Sequence, residues 1–361
     1  MRLVDPALPA VQHLVGLGAI DVLRLPIEAT GGVIESVRPV QVQYRPGSDV
    51  VVRYSAQVSW HGDPAVRETL VASSTIYGAH AGALSITAEA ASGPIEVGVW
   101  RWPFDPVLVG LGDVVSSKSA ARVLGLESDG LSVDVVAYRP TDRAVVRVAR
   151  NGEPVAYLKV VPPARAGAVA GRHEALISAG VPAAPVRLFD GERGLIGLEV
   201  LRGPTLRELI KSDAPGWPDG DEFVRLGESL ASARIDGAGP ASHLTDGVLH
   251  ANMLAAVLPD AAPLLSDLAN RFESFPIAPA DGTVHGDLHE GQVIVDDGRI
   301  VGVLDVDDVG PGASIDDLAN VIARIRFRAA TTPERSERLS GYAASLRAAG
   351  RERHDIADLD V

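Results

Sequence analysis

Residues 40–73, VQVQYRPGSDVVVRYSAQVSWHGDPAVRETLVAS, and residues 133–161, VDVVAYRPTDRAVVRVARNGEPVAYLKVV, follow one plan. Each runs β-branched residues up to an Arg-Pro turn, resumes, and turns again at His61-Gly62-Asp63-Pro64 or Asn151-Gly152-Glu153-Pro154 before a last apolar run. β-branched side chains suit a pleated surface, and Gly, Pro, Asn and Asp punctuate it, so each segment reads as a strand–turn–strand–turn–strand meander. Asp5-Pro6 and Asp105-Pro106 each precede a leucine-rich helical stretch at a similar distance from their meander, which extends the repeat upstream. A chain that builds two such sheets cannot be a helical bundle, and its helices must find their place around them.

The two copies differ at their last strand. The second ends AYLKVV, with Lys159 inside an apolar run, whereas the first ends without a lysine. Lysine is seldom buried without a partner. The segment that follows, GAVAGRHEALISAGVP, has helical periodicity, stops at Gly180 with Pro182 beyond it, and carries Glu174, the pairing candidate for Lys159.

Downstream, an apolar strand from Leu195 to Leu201 breaks at Gly203-Pro204, and a helix starts near Thr205. Apolar residues at three-to-four spacing then predict helices over Asp221–Ile235, Leu264–Phe272, Ile315–Arg328 and Pro333–Ala349. The expected fold class is α+β. The expected organisation is an N-terminal β-rich cap over 1–104, a β-rich middle lobe over 105–202, and a mostly helical C-terminal lobe over 203–361.

Composition narrows the function. Lys+Arg total 33 against 47 Asp+Glu, a formal charge of −14, which argues against a nucleic-acid or anionic-membrane footprint. Cysteine is absent, so no disulfide, thiolate metal site or cysteine nucleophile is available. The N-terminal stretch lacks the pattern of a signal peptide and no apolar run is long enough to span a bilayer, so a cytoplasmic location is expected. A monomer or weak dimer acting on a small molecule is the expected form.

The densest chemistry lies in TVHGDLHEGQVIVDDGRIVGVLDVDDVG, residues 283–310. Val293–Val295 and Ile300–Leu304 read as a hairpin with Asp297-Gly298 at its turn. Such a hairpin returns Gln292, at its entry, beside Asp305, at its exit, with Asp287 in the loop just upstream. An amide oxygen and carboxylates are ligands for magnesium, which also takes oxygens from substrate phosphates. Phosphoryl transfer needs those metal oxygens, an acid to accept a hydroxyl proton and a cation over the phosphates. Asp287 fills the second part, and Lys159, fixed by Glu174, the third. His285-x-Asp287-x-x-x-x-Gln292 has the spacing of the protein-kinase catalytic loop, with glutamine in place of asparagine. A zinc pair of His285 and His289 would require a continuous helix, which Gly286 and Gly291 oppose.

HGDLHEGQ followed by VLDVDDVGPGASIDDLA resembles the aminoglycoside phosphotransferase and choline-kinase group of the protein-kinase-like fold. The resemblance is closest to its sugar-kinase branch of maltokinases and actinobacterial glucosamine kinases; glutamine at the position of Gln292 departs from the broad group but is what maltokinases carry, and VGVWRWPFDPVLVGL is maltokinase-like as well. It covers roughly residues 105–330. It implies a bilobal kinase fold with an added cap, ATP and Mg2+ as cofactors, and transfer of the γ-phosphate to a sugar hydroxyl. Glucosamine, giving glucosamine 6-phosphate, is the leading acceptor; maltose or an aminoglycoside is the alternative, and a nucleotide-binding pseudokinase is the reading from another class. The resemblance places Asp317 on the family's structural aspartate and adenine against the backbone of Glu199 and Leu201. The turn RPTDR, with Thr141, would lie over the phosphates. Asp307 is a further metal candidate. Asp308, His289 and Glu290 are acceptor candidates, and the Asp308 and Glu290 carboxylates suit an ammonium group.

Overall fold

The strand Asp49–Trp60 shows why the repeat folds as it does. The computed structural model describes residues 5–16, 18–90, 93–237, 239–240 and 242–352; the ends of the cap and C-terminal segments, 1–4 and 353–361, lie outside the described residues. Helices α1 (Ala10–Val15) and α2 (Ala19–Glu28) precede β1 (Gly32–Arg45), β2 (Asp49–Trp60), β3 (Val66–Thr75), β4 (Leu84–Ala90) and β5 (Gly93–Arg101), which form one sheet ordered β1-β2-β3-β5-β4. Along β2, Val50, Val52, Tyr54, Ala56 and Val58 face a core with Leu8, Leu14, Val22 and Leu23. Val51, and Val71 on β3, face the opposite way into a core with Val146, Leu158 and Val160. The two-residue period of a strand thus lets one valine-rich run serve two cores. Each such side chain contributes roughly 1.5–3 kcal/mol on full burial.

Helix α3 (Ser117–Leu124), capped by Ser116, leads to a second sheet. It contains β6 (Leu131–Arg139), β7 (Arg143–Arg150), β8 (Glu153–Val160), β9 (Val186–Asp190) and β10 (Leu195–Leu198), ordered β6-β7-β8-β10-β9. Both sheets therefore share one strand order, and the repeat includes two strands per copy that the meander pattern did not reveal. The expected strand Leu195–Leu201 stops at Leu198, where the Glu199 amide donates instead to Pro185 O (2.9 Å).

The two Arg-Pro turns are also alike. Ser48 N–H donates to Arg45 O (3.0 Å) and Asp142 N–H to Arg139 O (3.1 Å), with Gly47 and Thr141 at φ +65° and +63°. This is the type II turn, which needs positive φ at its third residue. Glycine reaches that region freely, whereas a β-branched threonine is strained there by roughly 1–3 kcal/mol.

By internal packing the chain divides into two compact units, Met1–Ala166 with Leu188–Gly197, and Gly167–Arg187 with Leu198–Val361. The second holds most of α4 (Pro163–Ser178), then α5 (Leu206–Ser212), α6 (Gly220–Ser232), α7 (His243–Val257), α8 (Ala262–Glu273), α9 (Ser314–Thr331) and α10 (Ser336–Arg351). Two small antiparallel pairs accompany them: β11 (Gly282–Val284) with β14 (Gly310–Gly312), and β12 (Val293–Asp296) with β13 (Arg299–Val303). Its core joins Phe223 and Leu230 of α6, Val321 and Ile325 of α9 and Leu346 of α10 to Val293 and Val303 of the hairpin. A capping box between Thr205 and Glu208 explains where α5 begins.

The four helices expected from periodicity correspond to α6, α8, α9 and α10, the last starting later because Pro333–Arg335 forms a 3-10 turn. Helix α7 was not expected. Its apolar residues do not form one buried stripe, since Leu249 and Leu254 are exposed. Among the described residues no helix is long and apolar enough to cross a membrane.

Candidate functional site

The hairpin β12–β13 turns at Asp297-Gly298, both at positive φ (43° and 75°), the backbone that a two-residue type I′ turn demands. Its register pairs Val293 with Val303, and Leu304 N–H donates to Gln292 O (2.8 Å). Gln292 and Asp305 therefore share the open end of the hairpin, as the spacing implied. Gln292 is buried, and its Oε1 accepts no hydrogen bond among the described residues. An orphaned buried acceptor costs about 1–3 kcal/mol, so the fold tolerates a strain that a hard cation would relieve. Asp305 takes φ +55°, the left-handed region, at the point where the strand gives way to the 3-10 turn Val306–Asp308. Within that turn Asp307 is buried and Asp308 exposed. Among the described residues no group of three or more His, Cys, Asp or Glu could hold a metal.

The loop before the hairpin is braced from beneath. Asp317 at the start of α9 accepts the amides of His285 (2.6 Å) and Gly286 (2.9 Å). Burial pushes the Asp317 carboxyl up, against the pull of the His285 ring and of those two amides. The His285 ring bonds Leu304 O through Nε2 (2.8 Å) and receives the Asp287 amide at Nδ1 (3.4 Å). This histidine is a loop brace and not a metal ligand. Gly286 sits at φ +86°, so the chain turns sharply and presents Asp287 outward, its side chain 54% exposed.

Two side chains that sequence reasoning missed converge on Asp287. Asn320 Nδ2 lies 3.4 Å from Asp287 Oδ1 and donates to Leu288 O (2.9 Å), and Arg324 is 3.6 Å from the same carboxylate oxygen. They are four residues apart on α9, hence on one face. The signal was present in DDLANVIAR, where the helix that places Asp317 beneath the loop must also pass beside it.

The acceptor candidates are redistributed. Glu290 is buried and bound to Arg328 (2.6 Å) and Arg207 (3.2 Å), so it is an internal ion pair and not a substrate contact. Burial pushes the Glu290 carboxyl up, but the Arg328 hydrogen bond and charge, with the Arg207 charge, hold it below the ordinary range. The His289 ring is half-buried; it receives the Gly291 amide at Nδ1 (3.0 Å), and its Nε2 stands 4.0 Å from Asp287. Burial lowers its affinity for a proton. A cavity of about 360 Å³ lies between α7, α8 and the cavity-facing side of α9, with His243, Phe272, Ile277, Asp316, Asn320 and Arg326 in its wall. Asn320 thus touches both the cavity and Asp287. The Asp316 side chain makes no hydrogen bond among the described residues, and burial raises its carboxyl.

The nucleotide candidates lie on both units. Lys159 is 4% exposed on β8, opposite Val145 of β7. Glu174 is exposed and makes no ion pair among the described residues; on α4 the inward position is His173, whose Nδ1 bonds Ala184 O (2.8 Å). Thr141 is corrected: its amide donates to Asp105 Oδ2 (2.9 Å) and its hydroxyl to Pro140 O (2.7 Å), so neither donor is open to a phosphate. At the expected adenine strip, the Glu199 carboxylate pairs with Arg187, and Leu201 lies beyond the end of β10.

The sequence pattern of the phosphotransferase enzyme family matches residues 128–355. No curated protein matches. Among solved structures, the chain is similar to an aminoglycoside phosphotransferase from Streptomyces rimosus, with 21% identity over 67% of this chain and 97% of that one, and a TM-score of 0.41. It is also similar to a macrolide 2'-phosphotransferase from Brachybacterium faecium, with 15% identity over 66% and 84% of the two chains and a TM-score of 0.41. A third is an aminoglycoside phosphotransferase in ternary complex with ADP and hygromycin B, with 18% identity over 68% and 88% and a TM-score of 0.41.

Proposed function

Because this chain belongs to the phosphotransferase enzyme family, with the α+β kinase-like fold of that family, we propose that it is an ATP-dependent kinase of an amino sugar, with glucosamine the leading acceptor and glucosamine 6-phosphate the product. The observation that carries the acceptor reading is the cavity beside Asp287. Its apolar wall, Phe272 and Ile277, suits a ring face, and Asp316 offers a half-buried carboxylate with no hydrogen bond among the described residues to satisfy it. An ammonium group would satisfy it by a charge-assisted bond. Asp316 and Asn320 are one helical turn apart, roughly 6 Å along the axis. A single pyranose ring can therefore set its amine at Asp316 and a hydroxyl at Asp287.

Asp287 accepts the hydroxyl proton as the acceptor oxygen bonds to the γ-phosphorus and the bond from that phosphorus to the β,γ-bridging oxygen breaks, releasing ADP, and Asn320 and Arg324 hold Asp287 in orientation. Gln292, Asp305 and Asp307 would hold magnesium, which when bound neutralises the phosphate oxygens. Lys159 supplies a fixed cation to the α and β phosphates, and the backbone of Glu199 and Leu201 meets the adenine.

The test is ADP release with Mg-ATP against glucosamine, N-acetylglucosamine, glucose, maltose and kanamycin. Glucosamine should turn over, acetylation of its amine should abolish turnover, and Asp316→Asn should raise the glucosamine KM while leaving that for ATP unchanged. Equal turnover of glucose or maltose would remove the amino-sugar reading, and no ADP release with any acceptor would favour a nucleotide-binding pseudokinase.

A further inference from the structure

The two Arg-Pro turns are each held by an aspartate that comes from far upstream, and three hydrogen bonds to matching carboxylate atoms recur in both, Asp105 Oδ1 accepting the Leu108 amide (3.1 Å) in addition. In the first copy, Asp5 Oδ1 accepts the Ala7 amide (3.0 Å), while Oδ2 accepts the Tyr44 hydroxyl (2.8 Å) and the Gly47 amide (2.8 Å). In the second, Asp105 Oδ1 accepts the Val107 amide (2.9 Å), while Oδ2 accepts the Tyr138 hydroxyl (2.9 Å) and the Thr141 amide (2.9 Å). The upstream Asp-Pro dipeptides and the turns are thus parts of one clamp, repeated with its sheet.

The copies then diverge in two ways. Lys159 pairs with Val145 across β7–β8, and the residue that pairs with the matching Val51 across β2–β3 is Ser73. The first copy keeps the clamp without the lysine. Its turn also carries glycine at the left-handed position, where the second carries threonine. In the second copy the clamp is the more deeply set. Tyr138 is 4% exposed and receives Trp100 Nε1 on its hydroxyl (3.1 Å), whereas Tyr44 is only half-buried.

We infer that Asp105 is a positioning residue for nucleotide binding: through the Thr141 amide and the Tyr138 hydroxyl it holds the Arg139–Arg143 turn in its strained left-handed form before ATP arrives. The inference rests on the proposed kinase reading and on the expectation, drawn from the family resemblance, that the backbone of this turn lies over the phosphates although both Thr141 donors are engaged. A threonine left to itself prefers another backbone region, so an unclamped turn must be reordered each time nucleotide binds, and that ordering weakens affinity. The first copy supplies the internal control, since its turn has the same clamp, a glycine that needs no holding, and no lysine beside it.

The experiment compares Asp105→Asn, Tyr138→Phe and Asp5→Asn with the parent full-length chain, by Mg-ATP calorimetry and by steady-state kinetics with the best acceptor from the panel. Asp105→Asn should weaken ATP binding and raise the ATP KM about tenfold, the equivalent of one charge-assisted bond, with the acceptor KM unchanged. Tyr138→Phe should raise the ATP KM a few-fold, and gives the answer if Asp105→Asn does not fold. Asp5→Asn should lower the melting temperature without moving the ATP KM. Adding Thr141→Gly to Asp105→Asn should restore most of the ATP affinity, because glycine adopts the turn unaided. An unchanged ATP KM in both clamp variants, an equal rise in Asp5→Asn, or no rescue by Thr141→Gly would overturn the inference. Failure of the parent chain to bind Mg-ATP would overturn the kinase reading itself, a result separable from a clamp that binds nucleotide equally well in every variant.

Discussion

Three side chains carry most of what single residues decide. Asp287→Asn should abolish ADP release, by at least about a thousandfold, while leaving ATP binding nearly intact, since the proposed general base acts on the acceptor and not on the nucleotide. Calorimetry beside a turnover assay checks both halves. Gln292→Leu should behave in the opposite way from an ordinary core substitution: removing an orphaned buried oxygen should leave urea stability unchanged or raise it by about 1 kcal/mol, while magnesium-dependent nucleotide binding is lost. Glu290 tests the electrostatics. Arg328 and Arg207 hold its carboxyl below the ordinary range despite burial, so its stabilising effect is complete above the unfolded value, about 4.3, and disappears as pH falls through the lower folded value. Glu290→Gln should therefore cost about 3 kcal/mol near neutrality, with the gap to the parent closing below pH ~4. Chemical denaturation across pH measures it, and a gap that stays constant down to pH ~3 would refute the ion-pair account.

At the scale of elements, α9 gathers several functions because a helix presents a new side chain every 100° or so. Asp317 faces the loop of His285 and Gly286 from beneath, Asn320 and Arg324 face Asp287, and Asp316 and Arg326 face the cavity. Asn320→Ala should lower kcat about tenfold with little change in the ATP KM, because it frees the orientation of Asp287 and leaves the nucleotide side untouched. A proportional rise in the ATP KM would show instead that α9 supports the nucleotide. The hairpin β12–β13 was legible from Asp297-Gly298 alone, since the turn chemistry is local. Helix α7 was not, because its apolar residues spread around the axis and its place depends on α8 beside it.

For the whole molecule, two sheets of one strand order and a helical unit account for nearly all the described chain. Mg-ATP at about 100 times its dissociation constant should stabilise the native state by about 2.7 kcal/mol, seen as a rise of a few degrees in thermal midpoint. Lys159→Ala should abolish most of that rise; a full rise in the variant would exclude the lysine from nucleotide binding. Sequence by itself determined whatever depends on near neighbours: the repeated meander, the Arg-Pro turns, the hairpin that seats Gln292 beside Asp305, and the helices with a single apolar stripe. Tertiary structure decided the rest. Which way Glu174 faces, that Glu290 is bound by Arg328, that Asn320 reaches Asp287 and that Asp105 holds Thr141 are contacts between residues far apart along the chain. Their partners are chosen by how sheets and helices pack, and packing is set by the summed burial of many side chains and not by any one motif.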